Sequence, residues 1–380
     1  MRAMSPESQH PVFSKFAFAR FALFALVLSL AACAQRGQLT LISSPDPRAD
    51  IQTVFVATTR QKTNVQQGYG PQRSETTRFA RFQVSVPPGH SPGKIEWPGQ
   101  NPDPATDFIT VENRDLSDKA AFRTALDAAF TRLPAGQRDA VVFVHGYNNT
   151  FAEGLYRLVQ LSHDLNVGGV KLHYSWPSAG TERGYAYDRD SAAFARDGLQ
   201  QLLEILAKSK AERVLLVAHS MGALVTVESL RQMYIGGDKA IAPKLSGVVL
   251  MSPDIDVDLF RSQLRRIRPL PKPFVIFSSK GDHALRLSAL LTGENQRLGN
   301  LQSTEDLKGL GVLVVDLSNF KAQGDLLNHS SLATSPNLLA ILRALPEVDR
   351  KLAPKDSAGR LLIPGLSKLQ KSGYWLVPGF

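Results

Sequence analysis

Apolar and polar positions along this chain fall into short runs of two kinds. Ile51 to Ala57 (IQTVFVA) is an apolar, β-branched run of strand length. Phe79 to Val86 alternates, with Phe82, Val84 and Val86 on one face, and reads as a half-exposed strand stopped by Pro87-Pro88-Gly89. The runs Ala140–Val144, Val214–Ala218, Ser246–Met251, Phe274–Ser278 and Gly311–Val315 are short and mostly apolar, as strands buried on both faces are, and Val170–Ser175 reads as a further strand ending at Trp176-Pro177. Between them the period changes to that of a helix. Phe122, Leu126, Ala129 and Phe130 make one stripe within Ala120–Leu133. Phe151, Leu155, Leu158, Val159 and Leu165 make another, opened by Thr150 and Glu153 at capping-box spacing. Further helical patterns precede Lys208, cover Ala223–Tyr234, and run from about Pro336 to Leu345. Gln61 to Thr77 reads as a polar loop, and the Pro- and Gly-rich residues 90–110 as surface chain.

Eight strands, with helices between most pairs from the third onward, predict an α/β domain with a mostly parallel sheet and helices on both faces. The first two strands, with no helix between them, are expected to be antiparallel at one edge. Ligands in such sheets bind beyond the C-terminal ends of the strands.

At one of those ends stands RVLLVAHSMG, residues 213–222. A buried strand runs into Ser220, and a helical stretch follows at once. This is the context that gives the G-x-S-x-G pattern its meaning: the serine sits on a strained turn, so small residues must flank it at −2 and +2. Here they are Ala218 and Gly222. The alternative for Ser220 is an ordinary helix N-cap. Serine needs a base, a group that orients the base, and donors for an oxyanion. In chain order the candidates are Ser220 as nucleophile, Asp282 as orienting acid and His329 as base. Asp254 and Asp256 are rival acids, and Asp256 also suits a helix N-cap. The backbone N–H of Met221 and that of Tyr147, in HGYN, are the expected oxyanion donors. His145 and His219 read as structural. Trp176 reads equally as pocket wall or core. No metal-ligand spacing and no phosphate loop is present in the sequence, so no metal or cofactor is expected.

The segments VFVATTR (54–60), VFVHGYNNTF (142–151), YSWPS (174–178), AHSMG (218–222), SPDIDVDLF (252–260) and Asp282–Leu285 together resemble the α/β-hydrolase superfamily. More narrowly, they resemble a branch of uncharacterised bacterial esterase/lipase-like proteins, over roughly residues 50–345. The resemblance implies the α/β-hydrolase fold and a Ser–Asp–His serine hydrolase acting on small-molecule or lipid carboxylic esters.

The N-terminus carries a different signal. Lys15 and Arg20 precede an apolar run, Phe21–Leu30, too short to span a bilayer with such flanks. Leu30-Ala31-Ala32-Cys33 then resembles a bacterial lipobox, which implies cleavage before Cys33 and lipidation of that residue. Ala34 resembles the signal for the outer membrane. The expected organisation is a signal peptide (1–32), lipidated Cys33 with a tether to residue 50, a hydrolase domain (51–350) and a C-terminal tail (351–380). The tail's closing WLVPGF reads as packing on the domain rather than inserting at a membrane surface. Cys33 is the sole cysteine of the 380 residues, so no internal disulfide can form.

Composition, 43% hydrophobic and 21% charged, fits one large globular domain. The net charge of +10 includes +2 from the segment before Cys33. The basic residues are scattered, without aromatic interleaving, which argues against a nucleic-acid partner and for at most a weak attraction to an anionic membrane. Two other readings share these residues. One is a non-catalytic envelope protein that binds a lipid or a partner on the same fold; the other is a peptidase or thioesterase using the same triad. Neither the acyl preference nor the oligomeric state is written in the sequence.

Overall fold

The computed structural model describes residues 37–63, 68–293, 296–303, 305–318 and 376–378. Cys33, His329, the helix expected near 336–345 and most of the tail lie outside these residues.

Ten strands form one sheet in the order β10-β9-β8-β7-β6-β4-β5-β1-β2-β3. They are β1 Asp50–Lys62, β2 Tyr69–Val86, β3 Ile109–Leu116, β4 Asp139–Val144, β5 Val170–Ser175, β6 Arg213–His219, β7 Leu245–Met251, β8 Phe274–Ser278, β9 Leu313–Asp316 and β10 Leu376–Pro378. Every pair from β1 through β9 along the sheet is parallel, while β1–β2, β2–β3 and β9–β10 are antiparallel. Parallel strands must have both faces covered. Helices α1 (Lys119–Thr131), α3 (Tyr185–Ala207), α4 (Met221–Ile235) and α5 (Val257–Arg266) share one apolar core with the sheet; α2 (Phe151–Asp164) belongs to the core on the other face. The alternation of β4 shows how the sequence sorts itself: Ala140, Val142 and Val144 enter the first core and Phe143 the second.

Local chemistry sets the element ends. Asp118 caps α1 by accepting from the amides of Ala120 and Ala121. Thr150 and Glu153 close the capping box of α2 as their spacing predicts. A sixth helix, α6 (His283–Thr292), follows β8 and is capped by Asp282.

The structure departs from the sequence reading at the first sheet edge. Among the described residues the sheet has ten strands, not eight. Gln61 and Lys62 still belong to β1, and residues 69–77 to β2, so most of the predicted loop is a long hairpin arm. Within residues 90–110 the chain enters β3, which carries Glu112, Asn113, Arg114 and Asp115. Such outer antiparallel strands need ladder hydrogen bonds but no apolar residues on both faces, so their polar sequences hide them. The antiparallel β1–β2 pair was expected; the edge itself is β3. Residues 39–42, expected in the tether, also lie on this edge. Leu39 is buried, and Ile42 donates its N–H to the carbonyl of Thr110. At the opposite edge, Leu376–Pro378 of the tail pairs with β9. A proline is tolerated there because an edge strand has no ladder partner on one side.

Candidate active site

Strands β4, β6, β7 and β8 lie side by side and end at the same rim, where the sequence placed its chemistry. Ser220 joins β6 to α4 with φ 52° and ψ −123°. A non-glycine residue at positive φ costs energy and persists only where its surroundings hold it. Two neighbours hold Ser220: its N–H donates to the Met251 carbonyl at 2.9 Å, and its carbonyl accepts the N–H of Asp254 at 3.1 Å. Its side chain caps no helix N–H, so the geometry is that of an elbow and not of an ordinary N-cap. The flanking positions are crowded. A β-carbon on Gly222 would overlap the carbonyl oxygen of His145 and come within 2.6 Å of that of Val144. Ala218 is fully buried.

The loop after β4 closes against this elbow. A β-carbon on Gly146 would meet Ser220 Cβ at 3.0 Å and His219 Nδ1 at 2.7 Å. Tyr147 follows directly. Its ring packs edge-on against Tyr185, with centroids 5.4 Å apart, and its hydroxyl donates to the Glu182 carbonyl. The Tyr147 side chain therefore ties its loop to the start of α3. Met221 opens α4, and the first amides of a helix have no intrahelical acceptor.

His145 is buried, with Nδ1 2.9 Å from the Gly146 carbonyl and Nε2 3.0 Å from that of Trp176. Burial, then the nearby Arg60 charge, holds its pKa well below the ordinary histidine value. Both ring nitrogens face backbone carbonyls, which gives the ring a structural place. Trp176 is fully buried; it stacks on His145 and donates its indole N–H to the His145 carbonyl at 2.7 Å, so it is core.

Asp282 is fully buried where the chain leaves β8, and one oxygen accepts the Leu285 N–H at 3.0 Å. His329 lies outside the described residues. The rival acids are placed differently. Asp254 is buried with both oxygens committed: Ser288 Oγ donates to Oδ1 at 2.7 Å, Tyr185 donates to Oδ2 at 3.0 Å, and Arg297 pairs with Oδ1 at 3.2 Å. Asp256 caps α5 through the Leu259 N–H at 2.8 Å.

Arg60, Asp188, Tyr185 and Arg297 frame the site and received no role from the sequence. Arg60 is the one with a legible signal: an arginine closing an otherwise apolar strand, within VFVATTR. Burial pulls its pKa down to about 10, opposed by the charge of Asp188. Burial raises the Asp188 carboxyl, opposed by donors from Ser178, Ala179 and Asn148.

A serine on a strained strand-to-helix turn, at the C-terminal rim of a mostly parallel sheet, defines an α/β hydrolase. The chain belongs to the family described as "Alpha/beta hydrolase of unknown function (DUF900)", whose model matches residues 119–345. No curated protein matches the sequence. Among the solved structures that match, two illustrate the similarity at low identity. A Pyrobaculum calidifontis esterase is 11% identical over 88% of this chain and 92% of its own, with a TM-score of 0.35. The product of gene lin2722 from Listeria innocua is 13% identical over 55% of this chain and 94% of its own, also with a TM-score of 0.35. At these values neither adds to the assignment, which rests on the family match and the strand order.

Proposed function

We propose that this α/β hydrolase is a serine hydrolase that cleaves carboxylic esters through an acyl-enzyme. The observation that carries the reading is the Ser220 backbone, held at φ 52° between β6 and α4. Such a turn costs about 1–3 kcal/mol and is retained where it serves a site. In this reading His329 takes the Ser220 proton as Oγ attacks the ester carbonyl. Asp282 orients the imidazole and stabilises the imidazolium. The N–H groups of Met221 and Tyr147 receive the oxyanion of the tetrahedral intermediate. His329 then returns the proton to the departing alkoxide, and water repeats the sequence on the acyl-serine. The committed environment of Asp254 favours Asp282 as the acid. The lipobox-like LAAC supports anchoring of the mature chain through lipidated Cys33 in the bacterial cell envelope, at the outer membrane facing the periplasm. Multiple acyl chains on one residue hold a protein stably where one would not.

A fluorophosphonate probe tests the reading. It should label the wild type and leave Ser220→Ala unlabelled; equal labelling of both, or of neither, rejects it. Radiolabelled palmitate incorporation that is lost in Cys33→Ser tests the anchor separately.

A further inference from the structure

The loop that carries Tyr147 is held between two buried opposite charges. Arg60, near the end of β1, is 1% exposed, and its side chain donates to neutral groups among the described residues. Its Nε donates to Ser175 Oγ at 3.0 Å, and one terminal nitrogen to the carbonyls of Gly70 (3.2 Å) and Ser178 (3.0 Å). Its other terminal nitrogen donates to the Asn149 carbonyl at 2.8 Å. Asp188, in the first turn of α3, is fully buried and receives the same two loops from the other side. The Asn148 N–H donates to Oδ2 at 3.1 Å, the Ala179 N–H to Oδ1 at 2.6 Å, and Ser178 Oγ to Oδ2 at 2.5 Å. Ser178 bridges the two charges, its carbonyl accepting from Arg60 and its hydroxyl donating to Asp188, and the same hydroxyl accepts the Asn149 N–H at 3.1 Å.

The consequence falls on one peptide plane. Asp188 holds the N–H end of the Tyr147–Asn148 peptide, and Asn149 Nδ2 donates to its carbonyl end at 2.8 Å. That plane fixes the C-terminal side of Tyr147; the Tyr147 N–H belongs to the preceding peptide, whose Gly146 carbonyl lies 2.9 Å from His145 Nδ1. Asn148 is held at φ 57°, a conformation that asparagine tolerates better than most residues. Charges are rarely buried without cause, because taking an ion out of water is costly. Apolar residues would fill the same space more stably, yet they could not present directed donors and acceptors to two loops.

We propose that Arg60 and Asp188 are positioning residues that aim the Tyr147 N–H at the oxyanion formed on the Ser220 substrate. This inference rests on the serine-hydrolase reading. It requires that loosening either charge weakens binding of the tetrahedral state while leaving ground-state ester binding nearly unchanged.

The experiment compares wild type, Asp188→Asn, Arg60→Lys and Ser178→Ala, each checked for folding by circular dichroism. Two quantities are read: kcat and KM on a short-chain ester, and affinity for an alkyl boronic acid, which forms a tetrahedral anion on the serine. Asp188→Asn should lower kcat roughly 10²-fold, the scale of a displaced catalytic group or lost oxyanion donor. Boronate affinity should fall by a similar factor, with KM within threefold. Arg60→Lys should show the same pattern more weakly, because an ammonium cannot span the fork of a guanidinium. Tyr156→Phe, which removes the buried contact to Thr110 Oγ1, provides a variant of reduced stability with unchanged kcat. Folded variants with wild-type kcat and boronate affinity overturn the proposal, as does a kcat loss without a matching boronate loss. If Asp188→Asn does not fold, Arg60→Lys and Ser178→Ala decide by the same two readings. Failure of the underlying reading is distinct, since the wild type itself would then take neither boronate nor fluorophosphonate.

Discussion

Gly222 crosses the His145 carbonyl so closely that a β-carbon at residue 222 would overlap its oxygen. This approach couples the elbow to the end of β4, and it leaves no flexible side chain to give way. Gly222→Ala should therefore move backbone. We expect a loss of about 1–3 kcal/mol in denaturant unfolding, the usual range for overpacking. Fluorophosphonate labelling of Ser220 should fall with it. Unchanged stability and labelling would show that the two backbones separate easily.

Strain at Ser220 should be measurable against a glycine. Ser220→Gly removes the β-carbon that disfavours φ 52°, whereas Ser220→Ala keeps it. Both variants should be inactive. Glycine gains flexibility in the unfolded chain, about 0.5–1 kcal/mol, against about 1–3 kcal/mol of relieved strain. Ser220→Gly should thus equal or exceed Ser220→Ala in urea unfolding. A clearly more stable alanine variant would mean the elbow is not strained.

Asp254 and Asp282 should separate by the property they affect. Arg297 and Asp254 are 1% and 3% exposed and pair at 3.2 Å. Arg297→Ala leaves the Asp254 carboxylate buried with its cation gone, which should cost about 3–5 kcal/mol. Asp254→Asn in the same chain should return part of that loss. Asp282→Asn, in the proposed mechanism, should lower kcat by roughly 10³–10⁴ through loss of imidazole orientation. Wild-type turnover in Asp282→Asn alongside collapse in a folded Asp254→Asn would exchange the two roles.

Far from the rim, His90 should make stability depend on pH. Its Nδ1 lies 2.8 Å from Glu96 and its Nε2 2.8 Å from Asp164. Burial pulls the ring's pKa down, but the two carboxylates outweigh it and the net value lies above the ordinary 6.5. Burial likewise pushes Asp164 up, while His90, Gln160 and the Gly93 N–H outweigh it and leave it below 3.8. A raised histidine contributes fully below pH 6.5 and loses its contribution as pH rises through the folded value. A lowered aspartate contributes above 3.8 and loses it as pH falls through its folded value. The stability gap between wild type and His90→Gln should therefore be widest between these limits and shrink as pH rises above 6.5. Urea unfolding at pH 6 and pH 9 measures it; an equal gap at both would mean the ring is neutral throughout.

The central sheet and its helices were legible because burial on both faces leaves a strong mark. Val214–Ala218 and Phe274–Phe277 are continuous apolar runs of strand length, and Thr150 with Glu153 marks its helix start by local hydrogen bonding alone. The arm Tyr69–Arg78 and strand β3 were not legible, since an exposed antiparallel strand is held by partners that its own residues do not name. The same division runs through the site. Ser220 and Gly222 announce themselves, because the turn between strand and helix is local and its steric demands fall on adjacent residues. Asp188 and Arg297 do not, because a buried charge is defined by what surrounds it. Asp188 lies forty residues from the Asn148 amide it holds, and Arg60 eighty-nine from the Asn149 carbonyl. Hydrophobic period and local sterics are properties of the chain and fixed the framework in advance. Which distant polar groups meet, and which charge loses its water, was decided only when the strands came into register.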